Sequence, residues 1–235
     1  MTTIDQRDAA VIQLVTRFRQ LTASHIRELL FAHLASHTPC DRTLRRLVDQ
    51  QFLMRLEFRR PGGSDGGSGH YVYQLGREGH KQYRKGAFKP WSTINRHALA
   101  IADTYLALVR LERQGIISIN GYTTEPNCHV QVGKHKLEPD LYISLNRLSS
   151  GQHRPLWLEV DRDTEHDTHI KKKLANYWHA YSEADASQFP EWPGVIWIAL
   201  TDWRAKELRT TIAQGPKEAQ KLFRVMTLDE FAASF

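Results

Sequence analysis

The segment Leu156-Trp157-Leu158-Glu159-Val160-Asp161 constrains this chain most, because so short and dense an apolar run is a strand buried in a sheet, yet it carries two carboxylates. Side chains alternate along a strand, so Glu159 and Asp161 share one face while Leu158 and Val160 pack on the other. In Leu137-Glu138-Pro139-Asp140-Leu141-Tyr142-Ile143, Asp140 opens a second apolar run and can join them. Carboxylates gathered at one place repel unless a cation or a proton relieves them. A hard divalent ion, Mg²⁺ or Mn²⁺, needs oxygen-rich ligation of that kind, so Asp140, Glu159 and Asp161 are expected to form a metal site suited to phosphate chemistry.

With 235 residues the chain can bury the cores of two small domains, expected at 1–88 and 89–235, with Ala87-Phe88-Lys89-Pro90 as linker. The net charge of +6 favours a polyanionic partner without naming it. Cys40 and Cys128 make neither a disulfide framework nor a metal motif, so a reducing cytoplasm is the simplest setting. The first residues lack the apolar stretch of a signal peptide. The longest apolar run, Val195 to Leu200, is too short to cross a bilayer, and membrane residence is not expected.

Helical spacing predicts a first helix with Val11, Ile12, Leu14, Val15 and Phe18 inward, and a second starting near Thr22-Ala23-Ser24. A third starts near Pro39-Cys40-Asp41, its core residues Leu44, Leu47 and Val48 leaving Arg42, Thr43, Arg45 and Arg46 toward solvent. A hairpin follows, Leu53 to Arg59 and His70 to Leu75, joined by a glycine-rich tip over 61–69. Three helices and a hairpin are the order of a winged helix-turn-helix. Arg42, Arg45, Arg46, Arg55, Arg59 and Arg60 stand against only Asp49 and Glu57 in this stretch, so the third helix and the wing are expected to meet double-stranded DNA in groove and on backbone. A winged helix used for protein contacts is the rival reading.

The second half reads as a basic helix over 77–85, a long helix over 93–114 stopped by Gly115, strands at 116–120, 129–132, 141–145 and 156–160, a helix over 168–182, a buried strand at 195–200, and helices near 204–213 and 228–232. That order is an α/β sandwich.

The pieces Pro139-Asp140, Glu159-Val160-Asp161 in a strand and a following lysine-bearing helix resemble the PD-(D/E)xK, restriction-endonuclease-like superfamily. The whole chain is similar to the plasmid replication-relaxation family, which joins a winged helix to such a core. The matching pieces are Tyr71 to Gly79, His97 to Asp103, Glu138-Pro139-Asp140 and Leu158 to Arg162. The resemblance implies that Asp140 and Glu159 hold Mg²⁺, and that a lysine two residues after the glutamate steadies the attacking water. Asp161 stands at that lysine position, so Lys172, the first choice, or Lys173 is expected to supply the cation from the next helix. It also implies a role in origin processing, replication or conjugative relaxation beside other relaxation or replication proteins. An active nicking endonuclease and a homodimeric regulator with an inactive nuclease fold stay open as alternatives.

Other chemistry is weaker. His166 and His169 lack a third ligand for zinc, and Tyr177 and Tyr181 read better as packed aromatics than as strand-transfer nucleophiles. Trp192, Trp197 and Trp203 are expected in the core.

Overall fold

The computed structural model describes residues 4–56, 71–163, 167–185 and 187–235. It is a mixed α/β protein with nine helices and ten strands among the described residues. The chain divides into two compact units, Met1–Leu106 and Ala107–Phe235. The expected boundary at 88/89 therefore lies inside the first of them.

In the first unit the elements run α1 (Gln6–Phe18), β1 (Leu21–Thr22), α2 (Ala23–Phe31), α3 (Thr38–Asp49), β2 (Leu53–Leu56), β3 (Val72–Leu75), α4 (Arg77–Tyr83) and the start of α5 (Arg96–Arg113). The three strands form an antiparallel sheet ordered β1-β3-β2. Each of the first two helices begins where a side chain takes up an orphan amide. Asp5 accepts from Asp8 N at 2.7 Å, and Thr22 Oγ1 accepts from His25 N at 3.1 Å, caps of a type that contribute about 1 kcal/mol each. His25 answers with Nδ1, which accepts from Thr22 N; the ring proton therefore sits on Nε2, 2.8 Å from Asp103.

Two buried glutamines explain why residues beyond the expected linker stay with this unit. Gln20 bonds Thr93 O and Asn95 N, while Gln74 bonds Trp91 O and Trp91 N. Leu99 then packs with Leu56 and Val72. Gly79 permits close approach of α4 to the sheet, since a Cβ there would lie 2.2 Å from Phe52 O. The expected hairpin segments beyond Leu56 and before Tyr71, the glycine-rich tip, Arg59 and Arg60 lie outside the described residues.

The rest of α5 opens the second unit, and the chain turns out of it at Gly115, whose φ of +71° suits glycine. Strands β4 (Ile117–Thr124), β5 (Val130–Val132), β6 (His135–Leu137), β7 (Leu141–Arg147) and β8 (Gln152–Asp161) precede α6 (Asp167–Glu183) and β9 (Gly194–Ala199). Helices α7 (Asp202–Ala213) and α8 (Lys217–Gln220), β10 (Phe223–Thr227) and α9 (Leu228–Ala233) complete it. The main sheet is ordered β10-β9-β8-β7-β4, with β10, β9 and β8 parallel and β7 and β4 antiparallel to their neighbours. Strand β8 is central and buried from Pro155 to Asp161, as its apolar run demands.

One face of the sheet presents Trp157, Val195, Trp197, Phe223 and Val225 to Ile170, Tyr177 and Ala180 of α6 and to Ala205 and Leu208 of α7. Trp203 departs from the core expected of it and is 60% exposed in the first turn of α7. No described helix is long and apolar enough to cross a membrane.

Candidate functional site

Alternation along β8 turns Glu159 and Asp161 toward the helix-covered face, and the two carboxylates meet different partners there. Glu159 is 1% exposed. Its Oε1 accepts from Tyr177 Oη at 2.6 Å, and its Oε2 lies 2.6 Å from Lys173 Nζ in an ion pair. Burial pushes the Glu159 carboxyl up to about 8; Lys173 opposes the shift and the nearby Asp140 charge adds to it. Tyr177, buried against that carboxylate, is raised well above its ordinary value by burial and by Glu159.

Asp161 is matched by Arg204 at the start of α7. The guanidinium Nε lies 3.2 Å and 3.3 Å from the two carboxylate oxygens, and a terminal nitrogen is 3.0 Å from Oδ2. Asp163 N adds a bond to Oδ1 at 2.5 Å. This fork brings a delocalised cation and several donors to one buried anion.

Asp140 enters from the residue before β7. Its backbone N donates to Leu158 O at 3.1 Å, and its Oδ2 accepts from Val160 N at 2.6 Å, which fixes the side chain beside Glu159. A carboxylate oxygen of Glu125, just past the end of β4, lies within 4.8 Å of one from Asp140.

The structure therefore brings Asp140, Glu159 and Lys173 together, whereas Asp161 is taken by Arg204. Lys172 is exposed on α6. Lys171 pairs with Asp167 at 2.6 Å. Lys173 is the member of the triplet that turns inward, its Nζ also standing 5.4 Å from the centre of the Trp197 ring. Tyr177, read from the sequence as a packed aromatic in preference to a strand-transfer nucleophile, is a hydrogen-bond donor to the site. Arg204 and Glu125 went unmarked by sequence reasoning; both reach the site through strand order rather than local spacing.

The donor set fits a hard cation at Asp140 and Glu159. Both are oxygen ligands, and Glu159 holds a carboxylate in a place where only added positive charge keeps it ionised at neutral pH. Asp161 fits less well, because a guanidinium already meets both its oxygens.

On the first unit, α3 exposes Arg42, Arg45 and Arg46. Arg46 is tied down, bonded to the buried Asp8 carboxylate and 3.6 Å from Asp5. Thr43 corrects the sequence expectation: it is 3% exposed, because Cys40, Thr43, Leu44 and Leu47 share the inner arc of the helix. Arg55 on β2 lies over the Tyr71 ring, 4.2 Å from its centre. Arg45 and Arg55 border a groove of about 530 Å³ that also takes in Arg27, Asp41, Asp49 and Tyr73.

A family model described as replication-relaxation matches residues 12–191. No curated protein and no solved structure matches the chain.

Proposed function

The chain belongs to the replication-relaxation family, which suggests a role in plasmid replication or relaxation, and on that premise we propose that it is a double-stranded DNA-binding protein whose first unit is a winged helix. The observation that carries this reading is the element order α1-β1-α2-α3-β2-β3 with sheet order β1-β3-β2, together with a third helix that turns Arg42 and Arg45 to solvent. Such a helix can enter the major groove while cations on the adjoining hairpin meet phosphates. Fluorescence anisotropy with duplex from a plasmid origin tests it. Arg42→Ala plus Arg45→Ala should weaken binding and lower the log-log salt slope by about 1.8, about 0.9 for each phosphate no longer neutralised. Unchanged affinity in that double variant would take α3 out of the interface.

The second unit reads as a PD-(D/E)xK-like core, on the support of the mixed sheet and of Asp140, just before β7, held by Val160 N of β8 with its charge close to Glu159. Asp140 and Glu159 would hold Mg²⁺ or Mn²⁺, with Glu125 close by. Such an ion, when bound, polarises a phosphate and acidifies a water. Lys173 would offset charge developing on that phosphate, and Tyr177 orients the Glu159 carboxylate.

A second reading, active nicking of DNA, is favoured by one observation: Lys173 places a cation at Glu159 where Asp161 has displaced the usual lysine. Incubation with supercoiled plasmid in Mg²⁺, Mn²⁺ or EDTA decides it. Nicking that needs metal and disappears in Asp140→Asn supports the enzyme; inactivity on DNA the protein demonstrably binds leaves the DNA-binding scaffold.

A further inference from the structure

A second group of cations stands on the second unit, remote from the carboxylates. Strand register settles which way they point. Leu145 pairs with Arg154 and Arg147 with Gln152, so Arg147 and Arg154 share a face. Leu158, Ile196 and Arg224 also form one row across β8, β9 and β10, and Arg154 lies an even number of residues from Leu158. All three arginines thus project from the face opposite Trp157, Trp197 and Val225, which α6 and α7 cover. Arg154 is five residues from Glu159, about 17 Å along the strand.

We propose that Arg147, Arg154 and Arg224 form a phosphate-binding site on this face, and that the phosphate is that of a DNA backbone, a source that rests on the DNA-binding function proposed above. Arg154 and Arg224 line a pocket of about 230 Å³ with Lys221, Gln152 and the Trp192 ring. The pocket's carboxylate, Glu191, sits 3.3 Å from His153. Phe235 lies beside the Arg154 guanidinium, its ring centre 5.8 Å away, and helps hold it in place. Among the described residues, Arg147 Nε is buried without a hydrogen-bond partner. Burial, and then repulsion from Arg224 and Arg147, hold Arg154 below its ordinary range. Three guanidiniums held near one another in this way suit an anion with several oxygens, and phosphate matches the guanidinium fork.

The test uses the full chain in two measurements. Anisotropy of labelled duplex across a salt series compares wild type with Arg154→Gln plus Arg224→Gln and with Lys206→Gln plus Lys217→Gln, which removes the same charge from exposed positions of α7 and α8. The arginine pair should lose at least tenfold in affinity and about 1.8 in salt slope, the lysine pair neither. Thermal melting in inorganic phosphate, against chloride at matched ionic strength, should rise for wild type and not for the arginine pair. If wild type binds no duplex but phosphate still raises its melting temperature through these arginines, the DNA reading fails and the phosphate site stands. If both double variants lose DNA affinity alike, or if the arginine pair matches wild type in both measurements, the site is overturned.

Discussion

Helix α3 holds its charges in water, and strand β8 holds its charges out of it. Arg42 and Arg45 project from an amphipathic helix whose opposite arc, Cys40, Thr43, Leu44 and Leu47, is buried. Glu159 and Asp161 sit inside a sheet, each with a cation brought from a different helix. A solvated cation contributes little to the fold and is available to a polyanion. A buried carboxylate makes the fold depend on its partner and its own protonation. The two regions should therefore answer differently to mutation, metal and pH.

The sharpest break between them is Arg204→Ala. It would leave Asp161 buried with its principal cation removed, and losing one member of a buried pair costs about 3–5 kcal/mol. Arg45→Ala should stay within about 0.5 kcal/mol, as exposed substitutions do. Urea unfolding of both variants measures the contrast. Equal midpoints would mean that Asp161 is solvated and that the two regions do not differ as described.

Metal should separate them next. A ligand that binds only the folded chain stabilises it by about 2.7 kcal/mol at a hundredfold excess over its dissociation constant. Mg²⁺ or Mn²⁺ should raise the melting temperature of wild type and not that of Glu159→Gln, while Arg42→Ala plus Arg45→Ala should respond as wild type does. A wild type indifferent to both metals, with a Glu159→Gln protein that melts higher, would mark β8 as a strained site without a metal function.

How much of this contrast could be read from the sequence follows from the range of each signal. Alternation in Leu158-Glu159-Val160-Asp161 assigned both carboxylates to one face, because the period of a strand is local. The cation that meets Asp161 comes from Arg204, 43 residues away, and no local pattern marks it. Thr43 was legible and misplaced: the spacing 40, 43, 44, 47 is itself a helical arc. Strand β10 was missed although Phe223 and Val225 alternate with Arg224, since five residues at a sheet edge give a weak period. The clamp of Gln20 and Gln74 on residues 91–95 has no signal in composition, and it is what carries the first unit past the expected linker.

The pH response should be opposite in sign to that of an ordinary ion-paired carboxylate. Glu159 in the folded chain titrates near 8, against 4.5 for an unperturbed glutamate. Between those values the unfolded chain has released a proton that the folded chain keeps. The folded state then binds more protons, and stability falls as pH rises from about 4.5 to about 8, levelling above it. Glu159→Gln should flatten that decline in metal-free urea melts taken from pH 5 to 9. The Arg42→Ala plus Arg45→Ala protein should retain it; a decline that survives in Glu159→Gln would assign it to another group.

The smallest expected effect tests the boundary between the two kinds of charge inside one helix. Lys172 and Lys173 are adjacent, but successive residues of a helix point about 100° apart, and only Lys173 turns to Glu159. Lys172→Ala should therefore change stability by less than about 0.5 kcal/mol, like an exposed arginine of α3. Lys173→Ala removes the charge that opposes the upward shift of Glu159, so the pH decline should extend further into the alkaline range. If the protein nicks DNA, the same pair divides again: Lys172→Ala keeps the activity and Lys173→Ala loses it. Nicking that instead depends on Lys172 would mean that the cation serving the phosphate is a solvated one, and the distinction between α3 and β8 would not extend to catalysis.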